Sequence, residues 1–508
     1  MKGYFSLLLH THMPYVRKNG IWPVGEDWLY QVMSSTYLPL ISALERLNDE
    51  GVFPCAALTL TPVLCEQLAD PYIQERFIAH LKTMAEHTTR DIRDFEYFQD
   101  PGRKALAQSY CEEFRSKLLA FTSIGGDLLG ALASLEREGA IETIASSATH
   151  AFLPAQEDER SVKRQVLLGL ESHRKHLGRN PAGFWIPECA YREGIERLLE
   201  AEGVRYIVAD ATSTPELPST CAYMVGESRV AALMISERAR RNVWDDVSGY
   251  PTDGTYMDTT KYYDGSGLHY WKVTGPKVPI EEKEVYAPDP ATRRVLDHSR
   301  HFVQDVAGEI DSAEPCVGDA KPLVLAAYDT ELFGHGWHEG VYWMEVTLRS
   351  LSGSDSIQVT VPSRYLDDNP PMSSTRLAES SWGTGRDHST WVNPETGWMW
   401  RELTKAQERL FDLASRFSGE SDRSASRALT QATREVLLLE SSDWPYMVAK
   451  ERAKKYATER FNTHLERFRG ISDALESGEP GRTITLLSEV EEADNIFAEL
   501  DLGVISGQ

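Results

Sequence analysis

Leu323-Val324-Leu325-Ala326-Ala327-Tyr328-Asp329 is an apolar run that ends on a carboxylate. A run of that length suits a strand covered on both faces, as in a parallel sheet, and the polar residue after it is what such a strand presents at a catalytic rim. The pattern recurs along the chain. Tyr4 to Leu9 runs into His10 and His12, Ile141 to Ser146 is followed by His150, and Gly183 to Ile186 is followed by Glu188. Ala56 to Leu60 and Tyr206 to Ala209 are further runs, and helix-patterned segments separate most of them. Alternating strands and helices predict an α/β architecture, either a barrel of parallel strands or a doubly wound sheet. In a barrel the polar residues after the strands would converge on one mouth.

Between the runs, Pro71 to Leu135 is long, charged and helix-patterned, and predicts an excursion from the sheet, with a second helical excursion at about 189–245. Ser352 to Ser374, rich in Ser, Asp and Pro, reads as an exposed connection. From Trp398 onward the pattern is helical. The expected organisation is therefore a catalytic unit over residues 1–397 and a helical unit over 398–508. A chain of 508 residues with 41% hydrophobic residues can bury a large core. Lys and Arg number 53 against 77 Asp and Glu, a net charge of -24, which repels nucleic acid and anionic membranes and leaves a neutral sugar unopposed. The six cysteines, with no C-x-x-C pair, read as reduced thiols. With no leader-like apolar stretch at the start, the expected compartment is the cytoplasm.

Two carboxylates stand out. Glu188, in Phe184-Trp185-Ile186-Pro187-Glu188-Cys189-Ala190-Tyr191, follows an aromatic strand end and a proline; its plain alternative is a surface glutamate near a helix start at about Arg192. Asp329 is followed by Thr330-Glu331-Leu332-Phe333-Gly334-His335, where it could equally be a helix N-cap. Two acids at a barrel mouth beside aromatics suit glycoside chemistry, one attacking the anomeric carbon and the other protonating the leaving oxygen. His10-Thr11-His12-Met13-Pro14 places two imidazoles on one face, as sugar-binding and metal-binding pairs both require. No acidic residue closely accompanies them, which favours sugar hydroxyls. The 12 tryptophans include Trp22, Trp28, Trp271, Trp382, Trp391, Trp398 and Trp400. Flat rings of this kind stack on sugar faces, although core packing suits Trp398 and Trp400 better.

Taken together, five stretches in order resemble glycoside hydrolase family 57, in particular its α-1,4-glucan branching-enzyme group. They are His10 to Pro14, Ala148-Thr149-His150-Ala151-Phe152-Leu153-Pro154, Trp185 to Tyr191, Tyr328 to His335, and Ser381-Trp382-Gly383 through Asp387-His388-Ser389 to Trp391. The resemblance implies a (β/α)7 barrel with a helical insertion and a C-terminal α-helical domain, to which Asp443-Trp444-Pro445 is similar. It implies Glu188 as nucleophile and Asp329 as acid/base. His10, His12, His150, Asp387 and His388 would line the central subsites, and Trp22, Trp28, Trp271, Trp382 and Trp391 would stack on sugar or shape the cleft. The implied partner is an α-glucan such as glycogen, amylose or maltooligosaccharide, with no cofactor, metal, nucleic acid or membrane involved.

One departure bears on the fate of the intermediate. Branching enzymes of the group carry a longer loop after the nucleophile with a tyrosine at its tip. Here Asp210 to Trp244 looks shortened, Tyr223 is its only tyrosine, and Glu237-Arg238-Ala239-Arg240-Arg241 is unusual wording. An imperfect lid admits water. An α-amylase or 4-α-glucanotransferase on the same scaffold is therefore the alternative to branching.

Overall fold

The computed structural model describes residues 1–21, 24–275, 277–417, 423–477 and 480–500. Ten strands are present among them: β1 (Gly3–Thr11), β2 (Ala56–Leu60), β3 (Ile141–Ser146), β4 (Gly183–Trp185), β5 (Tyr206–Ala209), β6 (Tyr223–Val225), β7 (Ala231–Met234), β8 (Leu323–Asp329), β9 (Ile357–Val359) and β10 (Ser374–Thr375). Seven pair in parallel in the spatial order β8-β1-β2-β3-β4-β5-β7. Ile235, just past β7, makes a parallel bridge to Leu325 of β8, and the Ser236 amide donates to the Leu325 carbonyl at 2.8 Å. The sheet thus curls until it meets itself, a (β/α)7 barrel closed along a narrow seam. Beyond this ring, β6 runs antiparallel on β7, β10 pairs with β6, and β9 pairs with the start of β1.

Strand parity explains what points where, because successive side chains take opposite faces. Tyr4, Leu8, Ala57, Ile144, Trp185, Tyr206, Leu233, Leu325 and Ala327 form one cluster that fills the barrel. Phe5, Leu7, Leu9, Leu58, Val324, Ala326 and Tyr328 belong to a second cluster shared with the surrounding helices. By the same parity His10 follows Leu8 inward and Asp329 follows Ala327 inward, and the ladder sets His10 opposite Asp329. Gly183 makes room in this interior: a Cβ there would lie 2.2 Å from the Tyr206 ring.

The predicted excursion is three helices, Pro71–Tyr97, Pro101–Ser123 and Leu128–Arg137. Asp70, Asp100 and Asp127 cap them by accepting from the Tyr72, Arg103 and Gly130 amides, and Pro71 and Pro101 occupy the first turn, where a missing N–H costs nothing. No single helix among the described residues is long and apolar enough to cross a membrane.

Three expectations are corrected. The stretch at about 189–245 is not a helical excursion, because it contains β5, β6 and β7, two of them barrel strands, with only the short helices Ile195–Ala201 and Glu237–Trp244. Val230 to Ile235 is a buried apolar run bounded by Arg229 and Ser236, the same grammar as the other barrel strands. Ser352 to Ser374 is not a plain exposed connection either: β9 and the helix Pro362–Asp368 lie in it, and Tyr365 there is fully buried, its hydroxyl donating to the Lys321 carbonyl at 2.9 Å. Lastly, Cys221 and Cys316 form a disulfide across a sequence separation of 95, leaving Cys55, Cys65, Cys111 and Cys189 as buried free thiols.

From Gly397 the described residues form the helices Gly397–Phe417, Arg423–Leu439, Asp443–Ala449, Lys454–Ser477 and Pro480–Ala493. They have their own core around Leu410, Leu429, Val436, Trp444, Phe461 and Phe468. This unit docks on the barrel mouth. A fully buried Arg164–Glu440 pair at 2.6 Å, the Ala151–Ser441 bridge and the Ser442 amide donating to the His150 carbonyl at 3.0 Å tie the two together.

Candidate active site

Pro187 ends β4 by removing a ladder donor, and the chain turns through a 3-10 segment, Pro187–Cys189. Glu188 sits in it at φ 63, Cys189 at φ 50, and the neighbouring His150 and Arg386 at φ 55 and φ 59. Left-handed backbone on side-chain-bearing residues costs about 1–3 kcal/mol each and persists only where the surroundings enforce it. Here the enforcement is visible. The Trp382 amide donates to the Glu188 carbonyl and its indole N–H donates to Glu188 Oε2, both at 3.0 Å. Ser442, from the helical unit, donates to Glu188 Oε1 at 2.7 Å. The carboxylate is thereby clamped between two donors, and its side chain is only 13% exposed. Burial raises its pKa above the usual glutamate value, while the Trp382 and Ser442 hydrogen bonds oppose the rise.

Asp329 ends β8 and precedes the 3-10 turn Thr330–Leu332, yet its side chain makes no capping hydrogen bond. The helix-cap alternative therefore does not describe it. Burial, then the negative charge of Glu331, then that of Glu188 push its pKa well above the ordinary aspartate value. Geometry links the two acids through the histidines: His150 Nδ1 lies 3.7 Å from Glu188, His150 meets His10 at 3.0 Å, and His10 stands opposite Asp329 in the ladder, so the charge of Glu188 reaches Asp329.

The three histidines stack beside these acids. His10 and His150 join through their Nε2 atoms at 3.0 Å, the His12 and His150 rings lie 3.9 Å apart, and His10 stacks on Trp185 at 4.7 Å. His12 turns Nδ1 to Thr61 at 3.0 Å and Nε2 to Asp443 at 3.1 Å, and His150 turns Nδ1 to Ser442 at 2.9 Å. Burial depresses His10 and His150 well below the ordinary imidazole value, so they stay neutral, with His12 adding to the effect. Burial would depress His12 too, but Asp443 and then Glu331 and Glu188 outweigh it and raise its pKa. Five of the six ring nitrogens are thus directed to one another, to hydroxyls and to Asp443 rather than to one common point, and the sixth, His10 Nδ1, is buried without a hydrogen-bond partner. Among the described residues the His/Cys/Asp/Glu cluster with ligand-like spacing is Glu435, His464 and Asp494, far along the helical unit, where Arg467 pairs with Asp494, His464 turns Nδ1 to Glu435 at 2.7 Å and Arg460 meets His464 Nε2.

Trp382 packs edge-on to Trp185 at 4.8 Å and to Trp244 at 5.1 Å, an aromatic wall beside Glu188. Arg386 holds the loop that carries Trp382 by pairing with Asp210, after β5, and with Glu237 at 2.8 Å. His388 is half-buried against Phe152 with its Nε2 unpartnered. Asp387 is exposed and accepts from the Ser389 amide at 2.9 Å, stabilising the turn. Trp391 is fully buried against Phe152, and Trp271 is 8% exposed beneath Arg103, so neither offers an open ring face. Trp28 bridges the barrel and helical cores. Trp22 lies outside the described residues. Tyr223 is locked in β6, its hydroxyl donating to the Pro218 carbonyl at 3.0 Å, and does not reach the cleft. Sequence reasoning missed Ser442, Arg386, Trp244 and the use of Asp443 on His12; of these, Arg386 and Asp443 stood within recognised stretches.

A profile described as glycosyl hydrolase family 57 matches residues 6–374, and one described as 1,4-alpha-glucan branching enzyme, C-terminal, matches residues 402–504. The chain belongs to glycosyl hydrolase family 57. Within the family it is 35% identical to a 1,4-alpha-glucan branching enzyme of Thermococcus kodakarensis, over 99% of this chain and 78% of the relative. It is 33% identical to a probable 1,4-alpha-glucan branching enzyme of Mycobacterium tuberculosis, over 98% of this chain and 97% of the relative. The solved family 57 branching enzyme from Thermococcus kodakaraensis superposes with a TM-score of 0.94, covering 99% of this chain and 96% of that one at 35% identity. An alpha-amylase of Thermotoga maritima superposes at 0.89, with 28% identity and 100% and 99% coverage.

Proposed function

We propose that this family 57 chain is a 1,4-α-glucan branching enzyme working by double displacement. Glu188 attacks the anomeric carbon of an α-1,4-linked glucose while Asp329 gives its proton to the departing glycosidic oxygen. In the second half, Asp329 takes the proton of an incoming sugar 6-hydroxyl, whose oxygen displaces Glu188 and leaves an α-1,6 branch. What supports this reading is the Glu188 carboxylate clamped by Trp382 and Ser442, joined to Asp329 through His150 and His10, on a chain similar end to end to branching enzymes. His10, His12, His150, His388 and Trp382 would line the central subsites, with Trp28, Trp271 and Trp391 shaping the cleft from behind.

Amylose incubated with the protein should gain the anomeric proton signal of α-1,6 linkages without a matching gain in reducing ends; only shorter linear chains would refute branching. The second reading is an α-amylase or 4-α-glucanotransferase, favoured by the distance of Tyr223 from the mouth, which leaves Trp244 as the aromatic that this stretch brings to the cleft. Reducing ends in high yield would support it. The ligand is an α-glucan in either case. The compartment we propose is the cytoplasm, where the four buried thiols would stay reduced; the Cys221–Cys316 disulfide argues the other way, and cell fractionation with thiol labelling decides between them.

A further inference from the structure

Past the end of their ladder, β1 and β8 continue side by side through side chains. His10 lies opposite Asp329, the Thr11 and Thr330 hydroxyls bond at 2.7 Å, and the His12 amide donates to Glu331 Oε1 at 3.1 Å. Tyr37, at the end of the π-helical turn Met33–Tyr37, donates its hydroxyl to the same oxygen at 3.1 Å. Gly334 lets this corner form, since a Cβ there would lie 1.9 Å from the Ser35 carbonyl oxygen. Two acids two residues apart are thus served very differently. Glu331 has two fixed donors, and among the described residues no donor reaches the Asp329 carboxylate. Donors favour the ionised form, so of two neighbouring acids the one that holds them gives up its proton first, and its charge then hinders the other from ionising.

We propose that Glu331 is a positioning residue for the acid: held by the His12 amide and the Tyr37 hydroxyl, its carboxylate keeps the proton of the pair on Asp329, ready for the leaving oxygen. The inference rests on reading Asp329 as the acid. The other charged and titratable groups facing the pair agree with it. Glu188, from the β4 turn, adds negative charge to Asp329; His12, paired with Asp443 of the helical unit, lies on the Glu331 side and helps that carboxylate ionise. Tyr37 and the nearby Cys65 stay neutral, because burial raises both. Glu331 itself is pushed up to about 7 by burial, against the pull of His12 and Tyr37, while burial and then the charges of Glu331 and Glu188 push Asp329 well above the usual aspartate range.

The test is the pH profile of kcat/KM on a maltooligosaccharide for Glu331→Gln, Glu331→Asp, Tyr37→Phe and Asp329→Asn, with the thermal midpoint of each recorded. Glu331→Gln keeps an acceptor for both donors and removes the charge. Its alkaline limb should move toward acid by about one pH unit, so that the rate one unit above the parent's midpoint falls about ten-fold while the acidic side changes little. Glu331→Asp should return the limb toward the parent's, and Tyr37→Phe, which removes one of the two donors that keep Glu331 ionised, should move the limb acidward by less than Glu331→Gln does. An unmoved limb in Glu331→Gln, or a limb that stays in place or moves alkaline in Tyr37→Phe, overturns the inference. The Tyr37 variant also decides the matter should the Glu331 variants fail to fold. Full activity in Asp329→Asn would instead overturn the assignment of the acid.

Discussion

Replacing Ser442 by Ala removes one of two donors from Glu188, the proposed nucleophile, while leaving the fold of the barrel untouched. The hydrogen bond is 2.7 Å long and its acceptor is a carboxylate whose side chain is only 13% exposed. Bonds to charged groups contribute about 1.5–3 kcal/mol, and one pKa unit corresponds to about 1.4 kcal/mol, so the loss is worth about 1–2 units on Glu188. The sign follows from the state that reacts. On the proposed assignment Glu188 attacks as the anion; its pKa in the folded protein is already raised by burial, and Ser442 is one of the two groups holding that rise in check. Without Ser442 the pKa rises further, and the acid limb of kcat/KM moves to higher pH by at least about one unit. The plateau should change less, because the same hydrogen bond also restrains the attacking oxygen. Initial rates on a maltooligosaccharide across the acid limb, for parent and variant at equal thermal midpoint, measure the shift. An acid limb that stays in place would refute the view that Ser442 sets the ionisation of Glu188.

Glu188→Gln should abolish turnover while glucan retention in affinity electrophoresis persists, because the imidazole and indole surface remains; substantial residual activity would dismiss Glu188 as nucleophile. Arg386→Ala leaves the buried Asp210 without its cation, at a cost of about 3–5 kcal/mol, and frees the Trp382 loop. A lower thermal midpoint together with a more than ten-fold drop in kcat/KM is expected, and activity at the parent level would show that the loop holds itself. The double change Cys221→Ser and Cys316→Ser opens a long closed loop and should lower unfolding stability by about 2–4 kcal/mol, read from the denaturant midpoint; an unchanged midpoint would mean the bridge contributes nothing.

The barrel was legible where strands buried on both faces leave uninterrupted apolar runs, as in β1, β3 and β8, and parity then carried His10 and Asp329 to the mouth. It was less legible where strands are as short as β7, enclosed by polar turns and helical wording on both sides. The Cys221–Cys316 bridge was hidden because a pairing across that separation depends on where the loops beside β6 and before β8 meet. Composition also could not sort tryptophans. Trp382 and Trp391 stand in the same motif, yet one bonds Glu188 and the other is sealed behind Phe152. Glu188 and Asp329 stood out as acids after strands, whereas Ser442 is an ordinary serine whose use depends on the docking of a unit remote in sequence.

That docking gives the enzyme a built-in delay. Ser442 lies 254 residues after Glu188, which at ribosomal speeds of roughly 5–20 residues per second means that this carboxylate waits tens of seconds for its hydroxyl partner to be made. A nascent barrel that closed early would hold a carboxylate tuned for a different acidity from that of the finished protein. Full cutting power against glucan thus arrives with the last fifth of the polypeptide, once translation is nearly over.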